Sequence, residues 1–282
     1  MLQGLYHPKT VDEATALLAQ DPEAKPMAGG ASLVAMLNAR VIEPAALVSL
    51  ASIDEIKGIS VLPDGRIRIG AFTRHRETAE CALPLGAAAA VRQAASLIAN
   101  ATVRNMGTIG GAIAFADPGL DYPPALVAAG AEVEIASPSA RRIVPAREFF
   151  VDWYLTALEP GELVVAVLLP RPSEKAHGVY IKHARVAGDY ATASVAACRL
   201  GDGSVSVAVG ACGPTPIVDD AANALLGTDR SAAAIAEAGA LLEQLADPLD
   251  DVRGSADYRR QLIPRLLLRA IRTLEAAEGG KP

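Results

Sequence analysis

The 282-residue chain is poor in cysteine and histidine, and each shortage excludes a class of chemistry. Its three cysteines, Cys81, Cys198 and Cys212, lie far apart, so no Cys-x-x-Cys metal or iron–sulfur site can form. Three is also an odd number for a disulfide framework, and the thiols read as ordinary reduced ones. No two of the four histidines, His7, His75, His177 and His183, stand at the ligand spacing of about three to five residues. There is no Gly-x-Ser-x-Gly elbow, no Walker lysine motif, and no Gly-x-Gly-x-x-Gly after a first strand. A serine hydrolase, a P-loop enzyme and a Rossmann domain are therefore all disfavoured. No apolar run approaches the roughly 18 residues of a membrane span. The opening MLQGLYHPKTVDEA lacks the basic-then-apolar layout of a signal peptide, so a cytoplasmic protein without a membrane span is expected. Basic residues number 26 against 32 acidic, a net charge of −6, which argues against nucleic acid as a partner.

Hydrophobic residues make up 51% of the chain, much of it alanine. That composition and length describe an ordered protein of about two domains. Thr10 and Glu13 form a capping box ahead of Ala14, Leu17 and Leu18 at helical spacing. A glycine loop follows at 25–33, then a short helix over 34–39 and a strand over 45–50. Pro63-Asp64-Gly65 marks a hairpin between strands at 59–62 and 66–69. An alanine-rich helix is expected over 85–99, a second glycine loop over 104–111, and a helix over 123–129. Val133 and Ile135 alternate with glutamates, as in a strand with one wet face. The run 163–169 reads as a buried strand ended by Pro170 and Pro172. Composition changes there, which places a domain boundary between 1–172 and 173–282. Beyond it, strands at 194–200 and 204–210 flank Gly201-Asp202-Gly203. Two helices close the chain. The first spans 232–245 and is capped by Ser231, and the second runs from about 257 to 278, where Pro264 should kink it or mark its start.

The two glycine loops carry what chemistry the sequence offers. Ala28-Gly-Gly-Ala-Ser32 lacks bulk, so backbone N–H groups can approach an anion, and the helix starting near Ser32 aims more of them at the same point. Thr108-Ile-Gly-Gly111 repeats the arrangement, and two such loops could clamp a pyrophosphate from both sides. The plainer alternative is that each glycine pair only makes a tight turn.

At this point the residues carry a resemblance. Lys25-Pro-Met-Ala-Gly-Gly-Ala-Ser-Leu33, together with Ala99-Asn-Ala-Thr-Val-Arg-Asn-Met-Gly-Thr-Ile-Gly-Gly-Ala-Ile-Ala-Phe-Ala-Asp-Pro-Gly-Leu-Asp121, resembles the flavin-binding medium subunit of the xanthine dehydrogenase and carbon monoxide dehydrogenase family. The likeness continues through Phe149-Phe150, 163–170 and Tyr180-Ile-Lys-His-Ala-Arg-Val-Ala-Gly-Asp-Tyr-Ala191, and covers nearly the whole chain. It implies an α+β protein: a two-subdomain FAD-binding fold of the vanillyl-alcohol oxidase type, split near residue 57, plus a C-terminal domain of antiparallel sheet and helices.

The resemblance also implies site residues, none of them catalytic and none a metal ligand. Lys25, Pro26, Met27, Ala28, Gly29, Gly30, Ala31, Ser32 and Leu33 match one pyrophosphate loop, and Thr108, Ile109, Gly110, Gly111 and Ala112 match the other. Ala99 matches a dinucleotide contact. Asp121 matches an aspartate that takes the cofactor's sugar hydroxyls, and the lesser alternative by position is a cap on the helix before Pro123. Leu163 matches a backbone contact near the flavin ring, and Lys182 a lysine whose charge would stabilise reduced flavin, or else is a solvated strand lysine. Tyr190 matches a residue over or beside the ring, or else is a plain buried tyrosine. Ala31 stands where many relatives of this family carry histidine. Neither loop offers a histidine or cysteine for a covalent bond, so non-covalent FAD is expected.

The function implied is electron relay. A large molybdopterin subunit would hydroxylate the substrate, and a small [2Fe–2S] subunit would pass electrons to this FAD, in a dimer of heterotrimers. Two alternatives remain open: a self-sufficient FAD-dependent oxidase or dehydrogenase, which needs a larger cap domain than 173–282 supplies, and a flavin-free assembly subunit.

Overall fold

The computed structural model describes residues 4–279 and divides them among four sheets and eleven α-helices. The first stretch holds β1 (Gly4–Tyr6), α1 (Val11–Gln20), β2 (Ala24–Met27), α2 (Leu33–Asn38) and β3 (Ala46–Ser49). Its three strands pair in parallel in the order β1-β3-β2. The start of α1 follows the expected box with one change. Thr10 Oγ1 accepts the Glu13 amide at 3.1 Å, but the Glu13 carboxylate accepts the Lys9 amide, at 2.7 Å, and not that of Thr10 itself. Two otherwise unpaired donors are still satisfied. The first glycine loop leaves the carboxyl end of β2, the end of a parallel sheet where ligands are usually held.

A short 3-10 turn at Asp54–Ile56 leads into the second stretch. It contains β4 (Ile59–Val61), β5 (Ile67–Gly70), α3 (His75–Ala79), α4 (Ala89–Leu97), α5 (Ala101–Met106), α6 (Ile109–Phe115) and α7 (Tyr122–Ala128). After them come β6 (Glu132–Ala136), β7 (Arg141–Pro145), α8 (Ala146–Phe149), β8 (Phe150–Asp152), β9 (Leu155–Thr156) and β10 (Leu163–Leu169). Five of these strands form an antiparallel sheet in the order β4-β5-β10-β6-β7. Every residue of the central β10 is buried, which is why its sequence is an unbroken apolar run. On β6 the glutamates face outward, and Glu132 and Glu134 pair with Arg66 and Arg68.

Two local readings change here. The helix expected over 85–99 is a 3-10 turn followed by α4, and it stops at Leu97. Ile98 is extended and Ala99 takes a left-handed φ of 42°, a conformation no α-helix can propagate. Arg104 stabilises that corner by donating to the Ile98 and Ala99 carbonyls at 2.8 and 3.0 Å. The second glycine segment, expected as a loop, is two short helices, α5 and α6, separated by Gly107 and Thr108.

The third stretch is β11 (His177–His183), β12 (Ala193–Arg199), β13 (Val205–Gly210), α9 (Asp220–Thr228), α10 (Ala232–Gln244) and α11 (Ala256–Gly279). The strands form an antiparallel meander. One face, with Tyr180, Ala196, Cys198 and Ala208, joins the core built by the preceding strands and helices. The other, with Val179, Val195, Ala197, Val207 and Val209, packs under α9, α10 and α11. Both faces are therefore dry, and one core cluster runs across the boundary expected at 172. Helix α11 begins at Ala256, so Pro264 lies inside it and does not mark its start. Gly239 of α10 makes room for that proline, since a Cβ there would lie 3.0 Å from Pro264 Cβ. Among the described residues, no helix is long and apolar enough to cross a membrane.

One close join between the second and third stretches is at Ala87. Its carbonyl oxygen accepts from the Cys198 thiol at 3.3 Å, and a Cβ on Gly178 would sit 1.8 Å from it. Gly178→Ala should therefore force the sheet off the turn before α4 and cost about 1–3 kcal/mol or more. A thermal unfolding midpoint equal to that of the parent protein would show that the join gives way freely.

Candidate functional site

A cleft of about 680 Å³ opens between the loop after β2, the α5–α6 break, the start of β10 and the segment ahead of β12. That volume lies in the range of small-molecule and cofactor sites, about 300–1,000 Å³. Lys25, Pro26, Ala28, Gly29, Gly30, Ala31, Ser32 and Leu33 line one side. Ala99, Thr108, Gly110, Gly111 and Ala112 line the other, with Asp121, Leu163 and Tyr190 completing the wall. Three expected residues are not on it. Ile109 is fully buried in the core. The Met27 carbonyl is tied to the Leu50 amide at 2.9 Å. Lys182 stands behind Asp121.

The two glycine segments turn out to differ in kind. In the first, Gly29 is set by packing: a Cβ there would lie 1.7 Å from the Met106 carbonyl oxygen at the end of α5. Gly30 has a φ of +73°, which favours glycine. Among the described residues, the amides of Gly29, Gly30, Ala31 and Ser32 donate to no protein acceptor. They remain open to an anion in the cleft.

The second segment spends its amides internally. Ile109 N donates to Thr73 O at 3.0 Å, Gly110 N to Ala71 O at 2.9 Å, and Ala112 N to Thr108 O at 3.0 Å. Gly111 N donates to the capping Thr108 Oγ1 at 3.2 Å. A symmetrical clamp of backbone donors is therefore not what the structure holds. The first loop supplies free donors, and the second supplies a close, small-residue wall. Its two glycines also differ. A Cβ on Gly110 would point into the protein, 2.5 Å from Ala71 Cβ and 2.8 Å from Ala71 O. A Cβ on Gly111 would lie 3.0 Å from the capping Thr108 Oγ1 and 3.7 Å from Ala28 Cβ of the first loop.

Asp121 is the buried carboxylate of the cleft. It precedes α7 but makes no side-chain cap, which removes the helix-capping reading. Its Oδ1 accepts from the Tyr180 hydroxyl at 2.7 Å and its Oδ2 from Lys182 Nζ at 3.0 Å. Lys182 also donates to Leu97 O at 3.3 Å. Burial lifts the Asp121 carboxyl above the ordinary carboxylate range, and Lys182 and Tyr180 partly offset that rise.

Tyr190 is an expected residue of this wall, whereas Phe115, Tyr154 and His75 are additions to it. Tyr190 is 38% exposed and so is not a plain core tyrosine; the Arg253 guanidinium lies 5.0 Å over its ring. Tyr154, at the tip of the β8–β9 hairpin, meets Phe115 edge-on at 5.5 Å and donates to Asp117 Oδ2 at 3.2 Å. Phe115 lies four residues after Gly111, on the same side of α6, and could have been found once α6 was recognised. Tyr154 sits on a distant hairpin and had no local signal. His75 also lines the cleft, with Nδ1 3.2 Å from the Tyr122 hydroxyl. Burial, then the nearby Arg104 charge, pulls its pKa down to about 4, so it is neutral at neutral pH. Among the described residues, no group of three or more His, Cys, Asp or Glu could hold a metal ion.

Comparison with known proteins shows the family. Residues 2–172 match the family described as "FAD binding domain in molybdopterin dehydrogenase". Residues 179–274 match "CO dehydrogenase flavoprotein C-terminal domain". The chain is 36% identical over 279 residues to the carbon monoxide dehydrogenase medium chain of Afipia carboxidovorans, covering 96% of each. It is 32% identical to the nicotine 6-hydroxylase medium subunit of Paenarthrobacter nicotinovorans, covering 94% of each. Among solved structures, it superposes on a chain of carbon monoxide dehydrogenase from Hydrogenophaga pseudoflava with a TM-score of 0.92, at 34% identity and 98% coverage of both.

Two outcomes follow from the wall. Gly111→Val should fold and lose most FAD affinity, because its side chain enters the space between the loops. Gly110→Val should instead lower the unfolding temperature, because its side chain meets Ala71. Flavin content and circular dichroism measured together check both, and normal FAD occupancy in folded Gly111→Val would take that glycine out of the site. His75 yields an acid effect. Its folded pKa of about 4 lies below the ordinary 6.5, so the unfolded chain binds more protons between those values. Stability should therefore fall by about 2–3 kcal/mol as pH drops through that window. Denaturant midpoints against pH should flatten in His75→Gln, and an unchanged slope would assign the acid loss elsewhere.

Proposed function

Since this chain belongs to the FAD-binding medium subunits of the molybdenum hydroxylase family, we propose that it works as an electron relay within a larger complex. The observation that carries this reading is the cleft itself: a row of free amides at Gly29–Ser32 facing a buried carboxylate, Asp121, across a space sized for a dinucleotide. FAD fits those residues. The free amides would take its pyrophosphate. Asp121 keeps lone pairs for the sugar hydroxyls after accepting from Tyr180 and Lys182. Leu163 and Tyr190 would border the ring, and Lys182 would act through Asp121.

The reading takes the cofactor to be non-covalent. No cysteine lines the cleft, and His75, its one lining histidine among the described residues, has Nδ1 engaged by Tyr122. When bound, FAD collects electrons and delivers them in pairs to an acceptor. The chain's own residues hold the cofactor, orient it and keep it in a largely apolar wall.

The partners in this proposal are a large molybdopterin subunit and a small [2Fe–2S] subunit, joined as a dimer of heterotrimers in the cytoplasm. Two observations support a division of labour. The relatives are named for substrates as unlike as carbon monoxide and nicotine, yet each aligns with more than nine-tenths of this chain. The substrate must then be chosen elsewhere. Helices α9, α10 and α11 also pack on the sheet face turned away from the first core, not as a cap over the cleft. A self-sufficient oxidase would need such a cap to form a substrate pocket.

The deciding experiment is rapid-mixing reduction of the FAD-loaded chain by carbon monoxide, an aldehyde, a purine or a pyridine, alone and with its co-purified partner subunits. The isolated chain should keep its flavin absorbance with every donor, and the complex should lose it with one of them. Bleaching of the isolated chain by any of these substrates would replace the relay with a self-sufficient dehydrogenase.

A further inference from the structure

We propose that Tyr180 is the positioning residue of the cleft: its hydroxyl, donated to Asp121 Oδ1, fixes the carboxylate so that its remaining lone pairs face the cofactor's sugar hydroxyls. The proposal rests on the reading that Asp121 takes those hydroxyls.

The placement begins with strand periodicity. Tyr180 and Lys182 are two residues apart on β11 and so project from the same face. One takes Oδ1 at 2.7 Å and the other Oδ2 at 3.0 Å. A carboxylate offers about four acceptor positions, so two are spent within the protein and two are left, aimed by the first pair. With only the lysine, the carboxylate could rotate about a single contact. A second donor on the other oxygen removes that freedom.

The strand is itself held in register with the cleft. Gln93 Oε1 accepts the Tyr180 amide at 2.8 Å, and the Leu97 carbonyl, one turn further along α4, accepts from Lys182. Both donors therefore have their own supports. Tyr180 is 4% exposed, so its ring is packed and its hydroxyl has little room to swing. Burial first, then the adjacent Asp121 charge, keeps the phenol protonated well above its ordinary range. It is thus a donor at every working pH.

Few other groups face this carboxylate. Tyr122, next to it on α7, is buried and neutral. Tyr190 approaches from the segment before β12, and Asp117 influences that tyrosine in turn. Ser194 of β12 is buried opposite Lys182 in the strand register. Lys182 is the only cation bonded to Asp121 among the described residues.

The test is the FAD dissociation constant of the full chain, by flavin fluorescence, from acid to neutral pH. The variants are Tyr180→Phe, Asp121→Asn and the double variant. Removing only the hydroxyl keeps the ring's packing. Tyr180→Phe should weaken FAD binding by roughly 3- to 10-fold, less than the tenfold or more that a direct hydrogen bond to a charged group is worth, because the hydroxyl acts through Asp121. It should also move the acid limb of the binding curve to higher pH, because Asp121 loses a hydrogen bond that favours its charged form. In the Asp121→Asn background the same change should add less than about twofold, since the group it positions is already altered. Unchanged binding in Asp121→Asn would overturn the sugar-hydroxyl reading and the proposal with it. Weakened binding in Asp121→Asn with an unmoved affinity and acid limb in Tyr180→Phe would overturn the Tyr180 proposal alone. An equal loss from Tyr180→Phe in both backgrounds would do the same, by showing that the hydroxyl serves the fold.

Discussion

The ion pair between Asp121 and Lys182 is the constraint on which the cleft depends. Its side chains are 6% and 7% exposed, so neither charge has much water around it. Bringing two ions out of water costs several kcal/mol each, and their attraction offsets that cost only when geometry and further hydrogen bonds are good. Here they are good. Tyr180 takes the second carboxylate oxygen, and Leu97 O takes another proton of the ammonium. The pair also joins parts of the chain that are 61 residues apart, the start of α7 and the strand β11. Removal of either partner would leave the other charge buried alone, so the third stretch cannot shift against the cleft without breaking it. The meander β11–β12–β13 therefore serves both as a core element and as the support for a cleft-lining carboxylate.

A second constraint is the contact of the two glycine segments with each other. Gly29 rests on the Met106 carbonyl, and Gly111 looks back at Ala28. This closeness explains why one segment has free amides and the other does not. The amides of 109 and 110 are tied to Thr73 and Ala71, which anchors α6 to the end of β5 and fixes the height of the far wall. The first loop, leaving a short exposed-edge sheet, has no such partners for Gly29 to Ser32. One wall is rigid and sterically fitted, while the other is open and carries the donors.

Much of this was legible in the sequence because periodicity and turn chemistry are local. The hairpin at Pro63-Asp64-Gly65, the buried run of β10 and the Ser231 cap of α10 all appear at or within a residue or two of the expected places. What was not legible is long-range or depends on a single dihedral. The helix over 85–99 stops early because Ala99 is left-handed, and no propensity marks an alanine for that. Pro264 signals a break, yet α11 passes through it with Gly239 opposite. Sixteen of the nineteen expected site residues line the cleft, but composition could not tell that Ile109 faces the core or that Gly110 packs on Ala71. Lys182, read as a ring neighbour, is bonded to Asp121, a pairing that only the sheet register and the position of α7 reveal.

The same geometry bears on how, in the proposed complex, one kind of subunit could serve partners with different chemistry. Groups that would recognise a substrate are scarce on the cleft wall. Asp121 is committed to Lys182 and Tyr180, His75 is neutral and bonded to Tyr122, and Asp189 is paired with Arg185 and Arg253. Cys198 and Cys212 are buried, with burial pushing both thiols up to about 12, far from any nucleophilic or metal-binding state. A wall whose polar groups are mostly satisfied by one another has little left with which to discriminate a purine from an aldehyde. It retains free amides and one oriented carboxylate, which suit a dinucleotide's pyrophosphate and sugar. Under the proposed relay, specificity for the oxidised substrate is unnecessary here, and a cleft dedicated to one cofactor can be reused wherever electrons must be carried away from a different oxidation.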